Sequence, residues 1–214
     1  NQPLQVVLER IEKKRETKNP PLLYNLAELQ NECSRYLKIS PDETLKIVQE
    51  LYEKKLVTYP RTDARVLSTA VSKEIYKNIR GLAALDYAGG FVQEVLAGEA
   101  YKKIASTRYV NDKQITDHYA IIPTGQGFGA LRSLNPLAAK VYELIGRRFL
   151  SIFYPPAVYQ KFSLRIEKQG EQFFAAYKVL AEAGYLEVAN VPSKKKIENS
   201  GNSRGENSGA GQET

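Results

Sequence analysis

The sequence predicts an α+β protein, in which a mainly helical, helix-turn-helix-like block is flanked by β-strands of a second, β-rich domain that the chain contains only in part. Near both ends, residues 4–15 and 161–180 contain apolar residues in alternation, which is typical of strands. Between these segments, apolar residues recur at helical spacing behind capping residues. A helical block bracketed by strands indicates an insertion into a β-rich domain whose other parts we expect elsewhere in a longer polypeptide.

Four regions are expected from this pattern. Residues 1–20 would be a strand segment of the incomplete domain, 21–157 the helical domain, and 158–191 a hairpin that returns to the incomplete domain. Residues 192–214 are rich in Ser, Gly, Asn and charged residues, so we expect a disordered linker or tail there. The chain contains no Met and begins with Asn1, and we interpret it as an internal piece of a longer protein.

The first half of the helical block contains two capped helices. In the first, "NLAELQNECSRYLKI", Asn25 is the expected N-cap, with Glu28 three residues later. In the second, "SPDETLKIVQELYEKK", Ser40 caps the helix and Pro41 occupies its first position. The residues expected on the buried side of this second helix are Leu45, Val48, Leu51 and Tyr52.

Three further helices are expected in the rest of the block. They cover residues 68–85, 89–104 and 135–153, and a Pro-Pro pair stops the last one. Residues 106–131 are expected to be a loop with short extended pieces. The hairpin that follows the block is expected to turn at "KQGE".

Composition limits the function classes. The net charge of +7 favours a polyanionic partner such as nucleic acid. One Cys and one His are too few for a zinc cluster built from this chain alone, so no metal site is expected in it. The sequence contains no apolar run long enough to cross a membrane and no signal-peptide core, so we expect no membrane partner and a cytoplasmic location.

The stretch "LVTYPRTD", residues 56–63, places a tyrosine next to a proline and two residues before an arginine. Pro60 disfavours helical geometry at Tyr59, so the preceding helix is expected to end near Lys55. In an extended segment, Tyr59 and Arg61 lie on the same face, roughly 6 to 7 Å apart at Cα. The arginine can then hold two oxygens of a phosphate while the phenol faces the phosphorus.

A positively charged neighbour makes a phenol useful as a nucleophile, because its ordinary pKa of about 10 leaves it protonated at neutral pH. Attack on a phosphodiester would form a phosphotyrosine, and the exchange of one ester for another allows the strand to be resealed without ATP. The stretch therefore indicates reversible breakage of nucleic acid. Most of the 14 tyrosines are nevertheless expected to pack in the core or at interfaces.

A second stretch, "TDHYAIIPTG", contains the only histidine of the chain. A protonated His118 could donate a hydrogen bond to a phosphate oxygen, and the Thr124 hydroxyl could do the same. A lone loop histidine is more often incidental than catalytic, so this assignment depends on what lies beside it.

Taken together, these stretches resemble the type IA DNA topoisomerases and, within them, the bacterial topoisomerase III group. "LYEKKLVTYPRTDARVLS" resembles the active-site tyrosine segment of that family, and "TDHYAIIPTG" resembles its histidine segment. "NPPLLYNLAELQNE" and "LAAKVYELIGRRFLSIFYPPA" resemble the flanking family blocks, in the right order and spacing.

The resemblance implies roles for particular residues. Tyr59 would be the nucleophile that forms a 5′-phosphotyrosyl link with single-stranded DNA, and Arg61 would steady the scissile phosphate. His118 would bind a backbone phosphate near the break. Asp63 and Arg65 would belong to the DNA-binding surface of the same site.

The resemblance also implies a fold, a cofactor and partners. The helical module, often called domain III, would be inserted into β-rich domain II. Mg²⁺ would be bound in the full-length parent by a toprim domain, whose acidic cluster does not occur in this sequence. The partners would be single-stranded DNA and the remaining domains of the same polypeptide, with a location on the nucleoid. The fragment alone is expected to be inactive in DNA relaxation or decatenation.

Three alternatives compete with this interpretation. A tyrosine recombinase places several Arg and His residues before a C-terminal tyrosine, whereas Tyr59 comes early and the only His follows it. A relaxase with a two-histidine metal site lacks its second His here. A non-catalytic single-stranded nucleic-acid-binding module is left open by composition, although many aromatic residues fall at core-like spacing, which favours packing over base stacking.

Overall fold

The computed structural model describes residues 7–168 and 170–189, in which a three-stranded antiparallel sheet adjoins a mainly helical block. This arrangement confirms the predicted α+β class. Short 3₁₀ helices cover Leu82–Ala84, Ala100–Ser106 and Asp112–Gln114. The strands and α-helices are β1 (Val7–Lys18), α1 (Leu26–Leu37), α2 (Pro41–Glu53), α3 (Thr69–Gly81), α4 (Gly89–Ala97), α5 (Phe128–Leu131), α6 (Pro136–Ser151), β2 (Ala157–Lys168), β3 (Glu171–Glu182) and α7 (Leu186–Ala189).

The sheet joins the two ends of the helical block. Its order is β1-β2-β3, and Lys18 at the end of β1 lies opposite Ala157 at the start of β2. The chain therefore leaves the sheet at Lys18 and returns beside the same point, with the helices between. The predicted strands are confirmed where they are described. Residues 4–6, Gln169 of the predicted turn and the predicted tail at 192–214 lie outside the described residues.

Strand β3, one of the two edge strands of this sheet, is exposed along its whole length. Phe174 is 71% exposed, whereas a strand that packs one face against a core buries every second residue. The exposed large apolar side chains of the sheet are Leu8, Ile11, Phe173, Phe174, Tyr177, Val179 and Leu180. Apolar exposure on this scale marks a contact surface.

Helices α1 and α2 begin at the predicted caps. The backbone N–H of Glu28 donates to Asn25 Oδ1 (2.9 Å), and that of Glu43 donates to Ser40 Oγ (3.1 Å). The predicted buried side of α2 is wrong at its end, because Tyr52 is 39% exposed. The buried residues of α2 are Thr44, Ile47, Val48 and Leu51. They form a stripe at helical spacing, and Tyr52 lies one residue past it, toward the tyrosine segment (residues 56–63).

The helices between residues 69 and 106 are shorter than predicted. α4 begins at Gly89, as the helix predicted over 89–104 does, but it ends at Ala97. Glu99 then takes a left-handed conformation (φ 52°) that an α-helix does not allow, and the chain continues as the 3₁₀ helix Ala100–Ser106. α5 lies within the residues that were expected to form a loop, and neither α5 nor α7 was predicted.

α6 supplies the centre of the core, and a buried arginine ties it to the N-terminal part of the block. Arg148 donates to the backbone O of Leu22 (2.9 Å) and to Glu32 Oε1 (2.7 Å). Its guanidinium also lies 4.2 Å from the centre of the Tyr24 ring, and the Tyr24 hydroxyl donates to Glu32. A buried charge is tolerated when it is paired and hydrogen-bonded in this way. The loop before α1 is thereby fixed to the core.

Candidate active site

The side chains of residues 59–66 alternate between surface and core, as an extended segment requires. Tyr59 and Arg61 both lie on the accessible side, which agrees with the orientation expected from sequence. The buried residues of the segment are Pro60, Thr62, Ala64 and Val66, and the accessible ones are Tyr59, Arg61, Asp63 and Arg65. Tyr59 is partly buried, so its ring has a fixed environment without being enclosed.

Helix α2 stops before this segment because of the conformation of Lys55. Lys55 has a left-handed φ of 61°, which is uncommon for a residue with a side chain and which ends a helix. Its backbone O accepts a hydrogen bond from the Thr124 hydroxyl (2.6 Å), and the Thr124 N–H donates to the backbone O of Leu56 (3.0 Å). The predicted end of the helix near Lys55 is therefore confirmed, and the histidine segment helps to hold it.

Two buried or half-buried threonines join the tyrosine segment to the histidine segment. Thr62 Oγ1 donates to the backbone O of His118 (2.8 Å), and Thr58 Oγ1 donates to that of Ala120 (3.0 Å). Thr58 precedes Tyr59 in the chain and Thr62 follows it, so the two hydrogen bonds lie on either side of Tyr59. They hold the backbone of Tyr59 and that of His118 at a fixed separation.

The tyrosine and the histidine come together as a result. The ring centres of Tyr59 and His118 are 4.3 Å apart, with the planes tilted by 40°. Tyr52, from the last turn of α2, lies nearly perpendicular to Tyr59 (83°), with its ring centre 5.5 Å away. The three rings form a row, with Tyr59 in the middle.

This row borders an open cleft of about 510 Å³. Lys55, Tyr119 and Thr124 also line the cleft. Burial raises the pKa of the Tyr119 phenol, so this neighbour stays protonated at neutral pH. The cleft gives Tyr59 a route to an extended ligand.

Arg61 and Asp63 are exposed beside the cleft. They do not line it, and the backbone O of Asp63 accepts a hydrogen bond from Asn25 Nδ2 (3.1 Å), which holds the segment against α1. Because Arg61 alternates onto the same side as Tyr59, its long side chain can approach a phosphate held at the phenol. The roles assigned to Arg61 and Asp63 stay predictions.

Two other predicted site residues have structural partners. Arg65 Nε donates to the backbone O of Leu23 (3.2 Å), and its guanidinium lies 3.4 Å from Glu28. The Thr124 hydroxyl proton is used in the bond to Lys55. A phosphate contact from either side chain would have to compete with these bonds, so both assignments stay predictions.

Sequence reasoning missed Thr58, Thr62 and Tyr52. The two threonines flank the Tyr-Pro-Arg run, and a hydroxyl that competes for backbone groups in a non-helical segment was the available signal. Tyr52 was placed in the buried stripe of α2 because its spacing from Val48 fits one helix face. Only the exposure of its ring and its contact with Tyr59 show otherwise.

Within residues 7–168 and 170–189, no three His, Cys, Asp or Glu side chains cluster in a way that could hold a metal ion. None of the helices described is both long and apolar enough to cross a bilayer.

Comparisons with known proteins point to one family. A sequence model of a family described as DNA topoisomerase matches residues 1–211. DNA topoisomerase 3 of Bacillus licheniformis is 37% identical over 78% of this chain and 23% of its own length. DNA topoisomerase 3 of Bacillus subtilis is 36% identical over 87% of this chain and 25% of its own length. The chain thus spans about a quarter of the length of these relatives.

A solved structure shares the fold. Full-length topoisomerase I from Thermotoga maritima superposes with a TM-score of 0.61 at 24% identity, over 88% of this chain and 30% of that chain.

Proposed function

This chain belongs to the DNA topoisomerase family, and we propose that it is the tyrosine-bearing part of a longer type IA enzyme of the topoisomerase III group, in which Tyr59 breaks and rejoins single-stranded DNA. The observation that carries this proposal is the pairing of the Tyr59 and His118 rings, 4.3 Å apart, at the edge of an open cleft. Ordinary core tyrosines pack inside and do not meet the only histidine of the chain at the surface.

The proposed reaction exchanges one phosphate ester for another. The Tyr59 phenol loses its proton and its oxygen attacks the phosphorus of a backbone phosphodiester. The bond from phosphorus to the 3′ oxygen breaks, and that oxygen takes up a proton to become a 3′ hydroxyl. The 5′ phosphate remains on Tyr59. Attack by the 3′ hydroxyl reverses each step and restores both the strand and the phenol.

The neighbouring residues would stabilise the phosphate in this reaction. Arg61 is exposed on the same side of the segment as Tyr59, and its charge would offset the negative charge that develops on the phosphate oxygens. His118 would donate to a backbone phosphate from its place against the Tyr59 ring. Asp63, Arg65 and Thr124 would bind the strand at the margin of the site, as the family resemblance implies.

We assign Mg²⁺ to another part of the enzyme. The described residues contain no cluster of ligands that fits a divalent cation, so no step proposed above passes through a metal. We propose, from the family resemblance, that a toprim domain of the full-length protein would hold this ion. We accordingly propose that the isolated chain does not relax supercoiled DNA.

We propose that the remaining domains of the same polypeptide cover the exposed sheet. The chain spans about a quarter of the length of its relatives, and the outer strand β3 is exposed throughout. We therefore propose that residues 1–20 and 158–191 belong to an incomplete β-rich domain, and residues 21–157 to the helical domain. A cytoplasmic location on the nucleoid follows from the proposed substrate.

The test is a Tyr59→Phe substitution in the full-length polypeptide. Phe keeps the ring contact with His118 and removes only the nucleophilic oxygen, so the covalent DNA adduct should disappear while binding of single-stranded DNA is nearly unchanged. Adduct is trapped with denaturant and detected on labelled oligonucleotide. Tyr76→Phe, at an exposed tyrosine of α3 outside the cleft, is the control and should form adduct normally. An adduct that persists in Tyr59→Phe would mean that another residue is the nucleophile and would refute the role proposed for Tyr59.

A further inference from the structure

The cleft beside Tyr59 contains groups that the proposed bond exchange does not use. Tyr52 is 39% exposed and has its ring beside Tyr59, and Lys55 is exposed on the same cleft wall. An accessible aromatic ring next to a cationic side chain is the combination with which proteins hold single-stranded nucleic acid. The volume of about 510 Å³ lies within the range of small-molecule binding clefts.

The conformation of Lys55 places a charge at this site. A left-handed residue reverses the direction of the chain between α2 and the tyrosine segment, and the Thr124 hydroxyl holds its backbone O (2.6 Å). The neighbouring Lys54 differs, because its ammonium lies 3.5 Å from Glu50 on the helix and it does not line the cleft. Of the two adjacent lysines, Lys55 is therefore the one that faces a ligand in the cleft.

We propose that this cleft is a subsite for the first nucleotide on the 3′ side of the break, the one whose 5′ phosphate becomes attached to Tyr59. Its base contacts the ring of Tyr52, and the next phosphate along the strand contacts the ammonium of Lys55. This inference rests on the proposed function of Tyr59. Its consequence is that the helical module keeps hold of the cleaved end through a base and a phosphate as well as through the covalent bond.

Tyr52 also has a positioning effect on Tyr59. The near-perpendicular contact at 5.5 Å restricts rotation of the Tyr59 ring, which His118 touches as well. A base held against Tyr52 would therefore be held next to a phenol of defined orientation.

The base contact is tested with an oligonucleotide that contains one cleavage site, in two forms. One form is intact, and the other has an abasic residue as the first nucleotide on the 3′ side of the break. In the full-length enzyme, Tyr52→Ala should slow single-turnover cleavage of the intact strand by about 5-fold or more, the lower end of what a base stacked on an aromatic side chain contributes. On the abasic strand, Tyr52→Ala should slow cleavage by a clearly smaller factor, because the base contact is absent there and only the effect of Tyr52 on the Tyr59 ring remains. Tyr52→Phe should behave as wild type on both.

A matched control separates this contact from a loss of structure. Tyr76 on α3 is 38% exposed and lies 5.6 Å from the Tyr101 ring, so it resembles Tyr52 in exposure and ring contact but lies outside the cleft. Tyr76→Ala should leave cleavage of both oligonucleotides unchanged. If Tyr52→Ala slows both strands by the same factor, Tyr52 acts only through the structure and the proposed base contact is wrong.

The phosphate contact is tested by the salt dependence of binding, in a Tyr59→Phe background so that no strand is cut. Lys55→Gln should lower the slope of log affinity against log salt by about 0.7, the value for one phosphate contact to single-stranded nucleic acid. Lys54→Gln should leave the slope unchanged, and equal slopes for both variants would overturn the assignment of Lys55. These results are independent of the covalent chemistry, whereas an adduct in Tyr59→Phe itself would refute the proposed nucleophile and leave the binding data standing.

Discussion

Replacing Thr62 by Val tests whether a single buried hydroxyl holds the histidine segment against the tyrosine segment. Thr62 is 6% exposed, and its hydroxyl donates to the backbone O of His118 (2.8 Å). The same hydroxyl accepts a hydrogen bond from the backbone N–H of Ala64 (3.1 Å), which is also buried. Val has nearly the same shape and removes both bonds.

The expected destabilisation follows from these two bonds. Loss of the bond to the His118 carbonyl, which solvent can partly replace, costs about 1 kcal/mol. The buried N–H of Ala64 is left without an acceptor, and an unsatisfied buried donor costs about 1–3 kcal/mol. We therefore expect Thr62→Val to lower the free energy of unfolding by about 2–4 kcal/mol. Thr62→Ser retains the hydroxyl and loses one methyl group, so it should cost about 1 kcal/mol.

Two measurements check this prediction. Urea unfolding of the isolated chain, followed by circular dichroism, gives the stability difference between the Val and Ser variants. Single-turnover cleavage by the full-length enzyme should fall by about tenfold or more in the Val variant, because a small displacement of His118 from Tyr59 is costly at a reacting centre. Equal stability of the two variants, or wild-type cleavage by Thr62→Val, would refute the reasoning.

Three further predictions concern the packing of the loop after Thr124 and of the core. A Cβ on Gly81 would lie 2.2 Å from the backbone O of Gly125, so Gly81→Ala should displace the loop after Thr124 and lower the denaturation midpoint. A Cβ on Gly90 would have no atom within 4 Å, so Gly90→Ala should leave the midpoint unchanged. Equal midpoints for the two variants would contradict the close approach of Gly81 to Gly125. Burial raises the pKa of the Cys33 thiol to about 11 from an ordinary 9.0, so the folded chain should resist alkylation at pH 8 and react only when urea unfolds it. The stability contributed by this neutral thiol is fully present below pH 9 and is lost as the pH rises toward 11, a decline that Cys33→Ala should reduce.

Local chemistry made the helices predictable. Asn25 and Ser40 are caps whose side chains reach only three residues along the chain, so their partners are defined by sequence alone. The alternation of Phe162, Leu164 and Ile166 in β2 similarly requires no distant information. The errors arose where a contact from elsewhere decides the outcome. Tyr52 has the spacing of a core residue, yet its ring lies outside the core, against Tyr59.

The candidate site was predictable only as separate stretches. The residues around Pro60 indicated an accessible Tyr59 and Arg61, and the burial pattern agrees with that orientation. Nothing in the spacing of the two stretches required His118 to lie beside Tyr59, and that expectation came from the family resemblance. The ring contact at 4.3 Å is produced by tertiary hydrogen bonds, chiefly those of Thr58 and Thr62.

Rotamers, caps and proline sterics act over a few residues, so local patterns were enough to indicate which side chains can do chemistry, where α1 and α2 begin, and that Tyr59 lies in an extended segment after a helix. That Tyr52, Tyr59 and His118 share one cleft, which Lys55 also lines, became visible only in the folded chain. The physical reason is that these contacts depend on how α2 and two distant loops pack on a common core. Such packing is set by buried surfaces and hydrogen bonds that no local pattern records.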